Sequence, residues 1–96
     1  MTWIKTIAAD QADGPLRRCY EALYALYPPE YGVDVPSLAR PEGGTDSITA
    51  ASSLIPEAMR HGMSTLAVLL TPDLPLSRRQ HEMIATVVSA LNRCFY

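Results

Sequence analysis

The stretch Leu76-Ser77-Arg78-Arg79-Gln80-His81-Glu82-Met83-Ile84-Ala85-Thr86-Val87-Val88-Ser89-Ala90-Leu91-Asn92-Arg93-Cys94-Phe95-Tyr96 decides how the chain is read. Ser77 is a strong N-cap residue, and Gln80 stands where a capping box places its reciprocal side chain. Behind that cap, Met83, Ile84, Val87, Val88 and Leu91 recur at helical spacing and form the apolar stripe of a core-facing helix. Glu82 and Ser89 are seven residues apart, so a carboxylate and a hydroxyl share one side of it. Asn92 is either the stop of this helix or the cap of a new one. In the second case the Cys94 thiol would face free backbone N–H groups, a setting that favours thiolate.

Working back along the chain, Pro56 is suited to the first turn of a helix ending near Leu70, with Met59, Met63, Leu66, Ala67 and Leu70 as its apolar positions. Thr71-Pro72-Asp73-Leu74-Pro75 forms a stiff linker between this helix and the last. Thr45 or Asp46 can cap a weaker helix through Ser53, rich in serine and threonine. The segment from Glu30 to Gly44 is punctuated by Tyr31-Gly32, Val35-Pro36, Arg40-Pro41 and Gly43-Gly44, which disfavour long regular structure. Asp13-Gly14-Pro15 opens a helix that Pro28-Pro29 ends, placing Leu16, Cys19, Tyr20, Leu23, Leu26 and Tyr27 on one face. Residues Met1 to Gln11 read as an irregular lead-in anchored by Trp3, Ile4 and Ile7. With no strand signal that outweighs the helical one, the expected fold is a single all-α domain over residues 1–96. It is a small bundle whose last two helices form an antiparallel hairpin.

Composition narrows the function classes. The chain is 48% hydrophobic and 19% charged with a formal net charge of −2. That balance gives no electrostatic case for nucleic acid or an anionic membrane as partner. No apolar run approaches the roughly 20 residues of a membrane span, and the N-terminus lacks the pattern of a signal peptide. The expected location is the cytoplasm. There Cys19 and Cys94, the two cysteines, are unsuited to a structural disulfide. Cys19 falls on a core face and reads as an inert thiol, leaving Cys94 as the candidate for reactivity. His61, His81 and Cys94 have no recognisable zinc spacing, and there is no phosphate-binding glycine loop, so neither metal nor cofactor is expected. His81 precedes Glu82 directly, about 100° away around the helix, which does not make a compact dyad.

The run from Leu76 to Tyr96 resembles the signature of the alkylhydroperoxidase D-like, carboxymuconolactone decarboxylase superfamily, in its peroxidase-related branch. In that pattern a glutamate precedes a Cys-x-x-Cys by twelve positions and a histidine follows the second cysteine by four. Glu82 and Cys94 match the glutamate and the first cysteine at that spacing. The second cysteine and the histidine would fall just past Tyr96. A comparable Val-Pro segment leads into a short helix in the family, so Val35-Pro36-Ser37-Leu38 is expected to do the same. The resemblance implies an all-α oligomer with its active site at the end of the signature helix. It also implies thiol-dependent reduction of a hydroperoxide at the expense of a thiol reductant. There Glu82 would relay a proton and Cys94 would be one of two sulfurs exchanging through a disulfide. The second sulfur of the pair is the one assigned the attack on peroxide, and with it absent the chain is expected to be catalytically incomplete. Two alternatives remain: a cysteine-independent decarboxylase acting on a lactone acid, against which Cys94 argues, and a non-catalytic fragment that oligomerises.

Overall fold

A computed structural model describes residues 3–33, 35–38, 47–71 and 73–94. The turns expected at Arg40-Pro41 and Gly43-Gly44, the caps at Thr45 or Asp46, and Pro72 of the linker lie outside these residues. The described chain is helical, with no strand among its residues. Its α-helices are α1 (Gly14–Tyr24), α2 (Ser47–Ala50), α3 (Pro56–Leu69) and α4 (Arg78–Leu91). Short 3-10 turns lie at Ala9–Gln11, Pro29–Gly32 and Pro36–Leu38, the last where Val35-Pro36 was expected to lead into a short helix. No helix among the described residues is long and apolar enough to cross a membrane.

Helices α1, α3 and α4 each start where local chemistry puts a start. Gly14 opens α1 at φ +46°, a left-handed value that glycine adopts without a Cβ penalty, and Pro15 follows in the first turn. The regular helix stops at Tyr24, a turn earlier than the apolar pattern suggests. The next two turns tighten, with Leu26 N–H donating to Leu23 C=O and Tyr27 N–H to Tyr24 C=O. A residue ahead of a proline is pushed out of the helical region, so α1 unwinds before Pro28-Pro29 rather than at it. Leu26 is thereby left exposed. Pro56 occupies the first turn of α3 as expected.

The core lies between α1 and α3. Leu16, Cys19 and Tyr20 of α1 meet Met59 of α3, with Ala12 beneath them and Ile7 and Ala9 packed against the cluster. Leu23 and Met59 are both 0% exposed. The lead-in is pinned at Ile7: Ile7 N–H donates to Ser53 Oγ at 2.8 Å, and Tyr20 Oη donates to Ile7 C=O at 2.7 Å. Trp3 and Ile4, expected as apolar anchors, are instead exposed, because the pinning falls on Ile7 and the chain before it runs off the core. Leu66 is also half exposed, since α3 buries Met59 and Ala67, with Leu70 at its C-cap, on a narrower stripe than its sequence offers.

Helix α4 stands apart from this core. It contributes no buried residue, and no other helix packs along it as α1 does along α3. Its start is the expected capping box: Gln80 N–H donates to Ser77 Oγ at 3.3 Å, and Ser77 N–H donates to Gln80 Oε1 at 2.8 Å. A cap of this kind contributes about 1 kcal/mol. The apolar stripe behind it is open to solvent, from 50% exposure at Val88 to 78% at Leu91.

Candidate functional site

The two residues singled out by sequence lie at opposite ends of α4. Glu82 is in its second turn, and Cys94 lies beyond its last. Roughly 15 Å of helix separates them at 1.5 Å per residue. The structure does not bring them together.

Cys94 sits in a helix stop. Asn92 is the C-cap, Arg93 adopts a left-handed φ of +54°, Arg93 N–H donates to Ala90 C=O at 3.1 Å and Cys94 N–H to Ser89 C=O at 2.9 Å. This is the double hydrogen bond of a Schellman motif, with an arginine where glycine is usual. Asn92 is therefore a stop and does not cap a following helix at Cys94. The thiol lies at the carbonyl end of α4, so the thiolate-favouring helix start expected for it is absent. Cys94 is nonetheless exposed, whereas Cys19 is buried in the α1–α3 core at 6% exposure. Brief alkylation of the native protein should label Cys94 well ahead of Cys19, as read by peptide mass spectrometry. Equal or preferential labelling of Cys19 would contradict the burial.

Glu82 belongs to a cluster centred on Arg78. Arg78 Nε donates to Glu82 Oε1 at 2.8 Å one helical turn on, and Arg78 Nη1 donates to Glu30 Oε1 at 2.7 Å across the fold. The Arg78 guanidinium also lies 5.2 Å from the centroid of the Tyr31 ring, and Tyr31 Oη donates to Glu82 Oε1 at 3.3 Å. Two carboxylates around one guanidinium leave the cluster with a surplus negative charge. The pKa directions follow the geometry. Glu30 is lowered by the hydrogen bond from its own backbone and further by Arg78. Tyr31 is raised, first by loss of solvent and then by the Glu82 charge. Arg78 is raised, foremost by its hydrogen bond to Glu82.

Beside this cluster, a cleft of ≈ 490 Å³ opens between the end of α1 and the end of α3. Leu26, Tyr27, Ala67 and Leu70 give it an apolar floor, and Glu30 and Arg78 stand at its polar edge. Glu30 and Tyr31 lie in the turn-rich segment, where no local pattern joins them to α4, whereas Arg78 and Glu82 are spaced i,i+4 on one helix.

The histidines take other positions. His61 Nε2 pairs with Glu57 Oε2 at 3.2 Å on the exposed side of α3. His81 Nε2 is shielded from solvent and has no hydrogen-bond partner. Neither stands with Cys94. Among the described residues, no group of three or more His, Cys, Asp or Glu side chains is placed to hold a metal ion.

No family model, no curated protein and no solved structure matches this chain. The site is therefore defined by its own geometry.

Proposed function

We propose that this chain is a helical unit of the alkylhydroperoxidase D-like, carboxymuconolactone decarboxylase superfamily, in the peroxidase-related branch. On this reading it is a cytoplasmic thiol-dependent oxidoreductase in lineage, acting on a hydroperoxide. The observation that supports it best is the way the motif lies on α4. The run begins at the Ser77 capping box, carries Glu82 on an uninterrupted helix, and stops at Asn92 just before Cys94. The finer architecture proposed with it is the small bundle of that family with α3 and α4 as an antiparallel hairpin, a pairing in which α4 would have to pack along α3 more closely than it does among the described residues.

The uncovered stripe of Met83, Ile84, Val87, Val88 and Leu91 supports assembly with further copies of the chain, which would bury it. Such an interface is expected to bury on the order of 1,000 Å² or more. Sedimentation at micromolar concentration should give a species of at least two chains, and Val88→Asp with Leu91→Asp should return it to monomer. A clean monomer for the unaltered chain would refute assembly through α4.

A second reading, a non-catalytic assembly subunit, is favoured by one observation. The Glu82 carboxylate is already engaged by Arg78 and Tyr31, which leaves it poorly placed as a proton acceptor for a distant thiol. A decarboxylase acting on a lactone acid has no comparable support, because the Cys94 spacing is the feature that branch lacks.

A further inference from the structure

Four tyrosines form one continuous ladder. Tyr20 and Tyr24 stack with centroids 5.9 Å apart and planes 12° from parallel. Tyr24 and Tyr27 meet edge to face at 5.7 Å, and Tyr27 and Tyr31 do the same at 6.0 Å. All three spacings lie within the range of directly contacting aromatic pairs. The ladder outlasts the helix that starts it: α1 ends at Tyr24, yet the ring contacts continue past Pro28-Pro29 into the next turn. Its inner end is buried, with Tyr20 at 2% exposure next to Cys19 in the core. Its outer end, Tyr31, is exposed and donates its phenolic hydrogen to a carboxylate, Glu82.

Packing alone explains Tyr20 and its hydrogen bond to Ile7. It does not explain why the series runs out to a solvent-exposed ring paired with both a cation and a carboxylate. We propose that this ladder conducts single oxidising equivalents from the core to the surface, with Tyr31 as the terminal radical site and Glu82 as the acceptor of its proton. The proposal rests on the ring geometry and is independent of the thiol peroxidase reading.

The step balances as follows. A one-electron oxidant of the alkoxyl-radical class takes an electron from an inner ring and, with a proton from water, becomes the alcohol. The electron vacancy is filled from the next ring outward, and so on to Tyr31. Loss of an electron makes a phenol strongly acidic, and the Arg78 guanidinium over the Tyr31 ring disfavours a second positive charge there. The Tyr31 O–H bond therefore breaks, its proton passes to Glu82 Oε1 and on to water, and a neutral phenoxyl radical is left. The sum is one alkoxyl radical and one tyrosine giving one alcohol and one tyrosyl radical. A soluble reductant restores it from the exposed face.

The test injects the oxidant at the inner half of the ladder. A ruthenium polypyridyl photo-oxidant is attached through Glu21→Cys, an exposed position on α1, in a Cys94→Ser background. Flash-quench followed by a nitroso spin trap and peptide mass spectrometry then locates the radical. Most adduct is expected on Tyr31. Tyr27→Phe, which keeps the ring but removes the oxidisable phenol, should cut Tyr31 adduct by at least about tenfold. Tyr31→Phe should move the adduct inward. The rise of the tyrosyl absorbance should show a solvent deuterium isotope effect that Glu82→Gln diminishes, with circular dichroism unchanged. Adduct concentrated on Tyr20 or Tyr24, or Tyr31 adduct indifferent to Tyr27→Phe, would overturn the relay. An isotope effect indifferent to Glu82→Gln would overturn the role of Glu82.

Discussion

Met59→Ala should lower the unfolding free energy by about 2–5 kcal/mol, the range for removing a buried Met, Leu or Ile side chain. Met59 is 0% exposed and is the residue through which α3 meets Leu16, Cys19 and Tyr20 of α1. The cavity cannot close easily, because Tyr20 is held by its hydrogen bond to Ile7, which is itself fixed to Ser53. Domains of this kind have total stabilities of only about 5–15 kcal/mol, so the loss is a large share of the whole. For a chain of this length each kcal/mol corresponds to roughly 4–8 °C in Tm, which puts the expected fall at about 8 °C or more. Leu66→Ala, seven residues further along the same helix but half exposed, should cost clearly less. Chemical denaturation of both variants decides the matter. Equal losses would mean that α3 buries the broad stripe its sequence offers instead of the narrow one described.

The second large effect is the absence of sustained hydroperoxide turnover. A cycle through a disulfide needs two sulfurs whose Cα atoms approach to roughly 4.4–6.8 Å. Cys19 is enclosed between α1 and α3, whereas Cys94 lies exposed beyond the end of α4. Among the described residues, no helix packs extensively against α4 to carry one thiol toward the other. An oxidised Cys94 therefore stops at sulfenic acid or proceeds up the oxidation ladder, consuming at most about three equivalents of peroxide per chain. Cys94→Ser should abolish even that. Steady consumption of hydroperoxide with a dithiol reductant, dependent on Cys94, would overturn the prediction and imply a resolving thiol supplied by another molecule.

Much of the helical framework was legible because it depends on local chemistry. Ser77 with Gln80, Pro15 after Gly14, and Pro56 each act on the backbone within one turn, and each marks the start it was expected to mark. Helix faces were legible only in part. A period of 3.6 identifies which residues could be buried, but the width of the buried stripe depends on what packs against it. That is why Leu23 and Met59 are core while Leu26 and Leu66 are not. Trp3 and Ile4 show the same limit, since large apolar side chains near a terminus anchor it only if the backbone is led onto the core. For the candidate site, Glu82 and Arg78 were visible as neighbours on one helix, but Glu30 is 48 positions from Arg78 and no local rule joins them. Asn92 left two outcomes open because asparagine both caps and tolerates left-handed surroundings. Arg93 taking that conformation settles it as a stop.

The attachment of α4 through charges near its start has a consequence for cooperativity. Arg78 joins it to Glu30, and Glu82 to Tyr31, while the turns beyond lean on little except their own backbone hydrogen bonds. A 14-residue helix is close to the length at which an isolated helix is marginal in water. The amides from Val87 to Leu91 should then exchange with solvent through local opening, at a free energy well below that of the α1–α3 pair. The chain is then expected to unfold as two thermodynamic units, a cooperative pair and a helix tethered beside it. Added salt weakens the tether without touching the core. Covering the stripe on α4 would merge the two units into one, so the sharpness of unfolding, more than its midpoint, reports whether that face is occupied.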